Sequence, residues 1–199
     1  MPFGLVDVGV EEKERERLET ADGVMAGGVK AKAGKVKVVI VNQQKEVKIP
    51  TGLRMVIRRS CVAVIKIERF NDPVTVSVAF VDNEGIRELN KKYRNKDAET
   101  DVLSFPSLDS AGNYVVDPKT GLTSLGDIAI SVEKALVQAK EHGNSLQEEV
   151  SFLIVHSMLH LLGYDHEGSA EEENRMKERE TLIMASLGYV SVPGHKSGI

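Results

Sequence analysis

Between Glu148 and Leu162 the chain places apolar residues at nearly every helical position: Val150, Phe152, Leu153, Ile154, Val155, Met158, Leu159, Leu161 and Leu162. A segment that is apolar all round has no side to give to water, so it predicts a helix buried at the centre of a domain with other elements wrapped around it. Two histidines interrupt that run, His156 and His160, and a third, His166, follows. Positions i and i+4 share one helix face roughly 5–6 Å apart, close enough for two imidazoles to bind one tetrahedral metal. Gly163 ends the helix in the left-handed C-cap conformation, and the chain turns through Tyr164 and Asp165 to present His166. Three protein ligands leave the fourth position of a zinc ion open, the arrangement of a catalytic rather than a structural site. The alternative, core histidines satisfied by backbone carbonyls, suits a lone histidine better than three at this spacing.

A chain of 199 residues, 41% hydrophobic, can bury one good core, so one domain plus tails is expected. The single cysteine, Cys61, excludes an intramolecular disulfide framework and reads as a packed core thiol. No stretch reaches the roughly 18–20 consecutive apolar residues of a membrane span, and the N-terminus lacks a signal-peptide pattern, which points to a cytoplasmic protein. The net charge of −4 is uneven. Residues 1–23 hold seven acids against three bases, so the remainder balances at 23 against 23. Partner electrostatics therefore depend on local clustering and do not exclude nucleic acid.

Residues 1–34 combine charge, glycine and alanine with little apolar periodicity and predict a flexible extension, with a short helix over 10–20. The domain proper is expected over 35–190, and 191–199 reads as a tail in which His195 is no ligand. A first strand is expected over 35–42. A helix follows from Pro50-Thr51 to about Phe70, with Met55, Val56, Cys61, Val62 and Ile65 inward and Arg54, Arg58, Arg59 and Lys66 outward. Those basic residues suit either a solvated face or phosphate contacts. Val74–Val81 predicts a strand, and Asp82-Asn83 caps a helix through Tyr93. A short strand, Val102–Phe105, ends in Pro106, which fits a sheet edge or strand end. Ser107–Leu122 reads as a long connection of the kind that forms a lid or binding loop. Gly126–Ser131 is the next strand, Ser131 caps a helix over 132–141, and a last helix spans about Ala170–Leu187 with Met176, Leu182, Ile183, Ala185 and Leu187 as apolar contacts.

The histidine spacing also fits H-x-x-x-H-x-x-G-x-x-H, the zinc signature of metzincin peptidases. Those enzymes carry a glutamate general base after the first histidine, and here that position is Ser157. Serine is a poor base, which disfavours a peptidase. Three longer stretches resemble the YbeY endoribonuclease family: L-N-x-x-Y-R-x-x-D-x-x-T-D-V-L-S-F-P at Leu89–Pro106, G-D-I-x-I-S at Gly126–Ser131, and H-x-x-x-H-L-L-G-Y-D-H at His156–His166. The resemblance covers roughly residues 35–190. Ser157 stands where that family usually has glycine.

The resemblance implies an α+β fold, a small mixed sheet of about four strands packed with helices around a central buried helix that carries the histidines. It implies one zinc ion held by His156, His160 and His166, with Arg94 as the functional arginine. The activity implied is endonucleolytic cleavage of single-strand-type RNA in ribosomal RNA maturation and ribosome quality control, with ribosomal RNA and ribosomal particles as partners and neither membrane nor DNA. In this reading Arg94 clamps a phosphate oxygen through its planar fork, and Lys91, Lys92 and Lys96 add attraction to the RNA backbone. Asp127 and Asp165 are candidates for orienting an imidazole from behind, and equally for turn or cap residues. A zinc peptidase-like hydrolase and a metal-bearing ribosome-binding factor with little catalysis are the other function classes.

Overall fold

A computed structural model describes residues 34–165 and 169–189. The N-terminal extension, His166 and the C-terminal tail therefore lie outside the described residues, the first but for Gly34. β-Branched runs pair into a sheet: β1 (Val36–Asn42), β2 (Val74–Val81), β3 (Val102–Pro106), β4 (Val115–Val116) and β5 (Thr123–Ser131). The order is β1-β2-β5-β3, with β1, β2 and β5 parallel, β3 antiparallel to β5, and β4 pairing with the start of β5. This is the mixed sheet expected, with β4 as an additional strand inside the stretch read as an unbroken connection. Two residues between turn signals are too short a run to stand out as a strand. β3 lies at the sheet edge, so Pro106 interrupts no central ladder.

Five helices follow the polar punctuation: α1 (Leu53–Ile67), α2 (Asn83–Arg94), α3 (Val132–His142), α4 (Leu146–Leu161) and α5 (Ala170–Ser186). Asp82, Ser131, Ser145 and Ser169 each cap a helix by accepting a backbone N–H three residues on. α4 is the buried centre: Val150, Leu153, Ile154, Val155, Met158, Leu159 and Leu161 are all inaccessible to water. It packs against α1, α3, α5 and the sheet on one face, where Val76, Val78, Phe80, Ile128 and Ile130 complete the core. The other face carries a smaller cluster in which Ile86, Leu89 and Tyr93 of α2 meet Leu103, Phe105 and Ala129.

The inward faces differ in detail from expectation. In α1, Met55 and Val62 are exposed (64% and 43%), whereas Leu53, Ile57, Ser60, Cys61, Val64 and Ile65 face the core. Ser60 keeps an inward place because its Oγ pairs with Ser151 Oγ of α4 at 2.8 Å. Cys61 is fully buried, and that burial pushes its thiol up to about 12. In α5, Leu182 and Ala185 are exposed, and Met184 is buried in their place. The 107–122 connection, expected to form a lid or binding loop, is tied to the core: Tyr114 Oη donates to Leu161 O at 2.6 Å, and its ring meets Phe70 edge-on.

Gly126 sits at a register shift between β2 and β5 with φ +144°, and a Cβ there would lie 2.1 Å from Phe105 O. Backbone cannot yield as a flexible side chain does, so Gly126→Ala should cost at least about 3 kcal/mol or prevent folding, as measured by denaturant unfolding. The next residue gives a pH test. Asp127 is half-buried, and burial pushes its carboxyl up to about 6 against the opposing pull of the Ser77 hydroxyl. A carboxyl whose folded pKa lies above its unfolded value favours the folded state when protonated, so its contribution is lost as pH rises from about 4 to about 6. Asp127→Asn should remove roughly 1–2 kcal/mol of that decline after allowance for solvent screening, seen by comparing urea midpoints of the two proteins across this range.

Candidate functional site

The last two turns of α4 set two imidazoles side by side. His156 is buried and His160 half-buried, with ring centroids 4.6 Å apart and planes at 78°. Phe152, one turn earlier, stacks on His156. α4 then closes at Gly163, whose φ is +90°: Gly163 N–H donates to His160 O and Tyr164 N–H to Leu159 O, the paired bonds of a Schellman cap. That cap has a chemical consequence. It turns the Tyr164 carbonyl back onto the helix, where it accepts from His160 Nδ1 at 2.9 Å.

His156 is held from another element, its Nδ1 lying 2.7 Å from Glu180 Oε1 of α5. Both Nδ1 atoms face acceptors and so carry their protons, which leaves both Nε2 lone pairs on the same side. The two Nε2 atoms are 3.1 Å apart. Two nitrogen ligands at about 2.0–2.1 Å on a tetrahedral zinc would stand roughly 3.3–3.4 Å apart, so the pair is set close to the geometry of a shared cation. A ligating imidazole backed by a carboxylate or carbonyl is also the usual outer arrangement of zinc sites. The donor set thus fits zinc, with His156 and His160 as residues that would hold it. Among the described residues no third histidine, cysteine or carboxylate joins them, and His166 lies outside those residues.

A second layer braces the same turn. Tyr164 Oη donates to Glu68 Oε2 at 2.7 Å, and Glu68 Oε1 accepts from Arg179 Nε at 2.8 Å. Burial first, and then the Glu68 carboxylate, raise the Tyr164 phenol above its ordinary range. Arg175 lies over the Tyr164 ring at 5.4 Å. Asp165, expected either to orient an imidazole or to serve the turn, is exposed. Asp127 stands in β5 opposite Ser77 and Phe105 and bonds neither described imidazole. For these two histidines the acceptors facing Nδ1 are Glu180 and the Tyr164 carbonyl. Glu180 had a legible signal: it lies at helical spacing from Met176, Ile183 and Met184, a carboxylate within the inward stripe of α5.

The basic residues stand elsewhere. Arg94 is the last residue of α2, exposed, and Lys91, Lys92 and Lys96 surround it. Lys91 and Arg87 both bind Asp97, at 2.8 and 2.6 Å, and those bonds hold its carboxyl below the usual range. Lys92 lies 5.0 Å over the Tyr93 ring, and that ring rests edge-on against Phe105 of β3. α2 and α4 thus reach β3 from opposite faces of the sheet. No bond among the described residues joins Arg94 to either imidazole. Ser157, in the place of a peptidase base, is buried with no hydrogen-bond partner among the described residues, so it has no access to a substrate water.

The family model for endoribonuclease YbeY matches residues 39–188. Curated relatives described as endoribonuclease YbeY include one from Caldanaerobacter subterraneus subsp. tengcongensis, 46% identical over 77% of this chain and 98% of its own length. Another, from Alkaliphilus metalliredigens, is 41% identical over 78% of this chain and 97% of its own. The solution structure of TM1509 from Thermotoga maritima aligns with a TM-score of 0.49 at 25% identity, over 80% of this chain and 99% of that one.

The Glu180 contact can be tested on the protein alone. Glu180→Gln keeps the shape but weakens the acceptor facing His156 Nδ1, and loss of such a partner typically lowers metal affinity about 10- to 100-fold. Zinc affinity from competition with a chromogenic chelator should fall by that factor, with the unfolding midpoint of the metal-free protein little changed.

Proposed function

The chain belongs to the YbeY endoribonuclease family, and we propose that it is a zinc-dependent endoribonuclease acting on single-strand-type RNA in ribosomal RNA maturation and ribosome quality control. The observation that carries this reading is the imidazole pair with both Nε2 atoms converging at 3.1 Å while both Nδ1 atoms are held by acceptors. That arrangement supports one zinc ion per chain on His156, His160 and His166. When bound, the metal supplies Lewis-acid polarisation and neutralises charge at a phosphodiester.

The chain's own residues do the rest. Glu180 and the Tyr164 carbonyl keep each imidazole in the tautomer that presents Nε2. Arg94 offers a planar fork to a phosphate oxygen as charge builds at phosphorus. Lys96, exposed beside it, adds attraction to the backbone, as do Lys92 and, once released from Asp97, Lys91. Substrates of this class are ribosomal RNA and ribosomal particles, and the place of action is the cytoplasm.

The deciding experiment is incubation of zinc-loaded protein with structured RNA, with and without chelator. Internal cleavage that chelator abolishes is expected, and intact RNA in both arms would overturn the reading. Arg94→Lys keeps the charge and removes the bidentate fork, so cleavage at saturating RNA should slow by about 30- to 1000-fold, or roughly 2–4 kcal/mol, with zinc content unchanged.

A further inference from the structure

α1 carries four basic residues, Arg54, Arg58, Arg59 and Lys66, and no acidic one. Its inward side is taken by the core, which leaves Met55, Arg58, Arg59, Val62 and Lys66 as an exposed stripe at helical spacing. Among the described residues Arg58, Arg59 and Lys66 have no carboxylate partner. On α2, by contrast, Asp97 holds both Arg87 and Lys91. The α1 stripe is therefore available to an outside anion without first breaking an ion pair.

The stripe ends at Arg69, which takes φ +54°. Arg69 N–H donates to Lys66 O and Phe70 N–H to Ile65 O, again the two bonds of a Schellman cap, with arginine at the position that requires left-handed backbone. Among the described residues Gly143, Gly163 and Gly188 hold the same position in the caps of α3, α4 and α5. A side chain in that conformation carries a cost that glycine avoids. Arg69 is exposed, and no hydrogen bond or ion pair of its side chain among the described residues offsets that cost. Strain kept without local compensation points to a task outside the fold.

The preceding residue gives the location of that task. Glu68 accepts from Tyr164 Oη, and the Tyr164 carbonyl holds His160, so the end of α1 is bonded to the turn that carries the imidazoles. The geometry points to Arg69, with Arg58, Arg59 and Lys66, as a track for the phosphate backbone of single-stranded RNA that leads along α1 to the histidine pair. This rests on the RNA-cleaving reading above. Arginine forks suit phosphate oxygens, and Met55 and Val62, exposed between them, offer apolar surface to sugars and base edges.

The test is anisotropy titration of a labelled single-stranded RNA with the full chain over a salt series. Each lost phosphate contact should flatten the log–log salt slope by about 0.7, or about fivefold in affinity at 0.1 M salt. Arg69→Gly should show that loss with an unfolding midpoint equal to or above the parent's, and Arg69→Asn should bind as Arg69→Gly does. Arg69→Lys, which keeps charge and backbone, should keep the slope. The double variant Arg58→Ala/Arg59→Ala should lose about 25-fold, while Lys140→Ala on α3 binds as the parent does. Parental affinity and slope in both Arg69→Gly and the double variant, in a protein whose parent binds and cleaves RNA, would overturn the track alone. A parent that neither binds nor cleaves RNA overturns the RNA reading and the track with it. Loss of binding to phosphatidylserine vesicles with RNA affinity intact would also overturn it, assigning the stripe to a membrane surface.

Discussion

Burial of α4 is the constraint to which the rest of the fold answers. A helix closed off from water on every side must find an internal partner for each polar group it carries, because an orphaned one costs about 1–3 kcal/mol. Glu149, fully buried in the first turn, accepts from Asn144 Nδ2 and faces His142 Nδ1. Ser151 pairs with Ser60 of α1, His156 with Glu180 of α5, and His160 with the carbonyl beyond its own cap. Those partners come from α1, α5, and the α3–α4 and α4–α5 turns, so the elements that bury the helix also orient its imidazoles. Ser157 differs from these, a buried hydroxyl without a hydrogen-bond partner among the described residues. Its cost falls on the residue beside a candidate ligand.

The sheet divides the labour. One face, with α1, α4 and α5, forms the larger core and fixes the histidines; the other, with α2, forms a small cluster and carries Arg94 at its end. β3 and β5 are touched from both sides. The close approach at Gly126, where Phe105 O and Leu161 crowd the missing Cβ, lets the end of the histidine helix settle against the paired strands. Substitution there would displace Leu161, whose carbonyl receives the Tyr114 hydroxyl, and with it the turn that presents the Tyr164 carbonyl. Rigidity at the edge of the sheet and order at the imidazoles are thus one property.

Local signals were legible where one residue's conformation decides the outcome. Ser131, Asp82 and Gly163 mark helix ends by their capping chemistry, and β2 follows its run of β-branched residues from end to end. The histidine spacing was legible because i and i+4 on a helix are neighbours whatever surrounds them. Side choice was harder. Met55 and Val62 read as core by their apolar type, whereas the inward row includes Ser60, a polar residue whose hydroxyl is satisfied by the Val56 carbonyl and by a serine 91 positions away. Glu180 is legible locally as a carboxylate in the inward stripe of α5, but its partner His156 lies 24 residues away and is fixed by the packing of α5 on α4. The tie from Tyr114 to Leu161 is of the same kind, 47 residues apart, and braces the long connection against the end of α4.

Charge follows the same logic of local placement. A net charge of −4 would oppose a polyanion if it were spread evenly, yet the described residues pair their charges selectively. Asp97 draws in two cations of α2, Glu68 takes Arg179, and Glu173 takes Lys177, which leaves α1 as a run of cations with no acid of its own. Within a Debye length of roughly 8–10 Å at physiological salt, that local surplus counts for more than the distant total. The Glu68–Arg179 pair matters most, because Glu68 sits between the basic stripe and Tyr164. With its charge matched by Arg179 and its second oxygen occupied by the phenol, it presents little net negative field to a phosphate arriving along α1, while still anchoring the turn that holds His160.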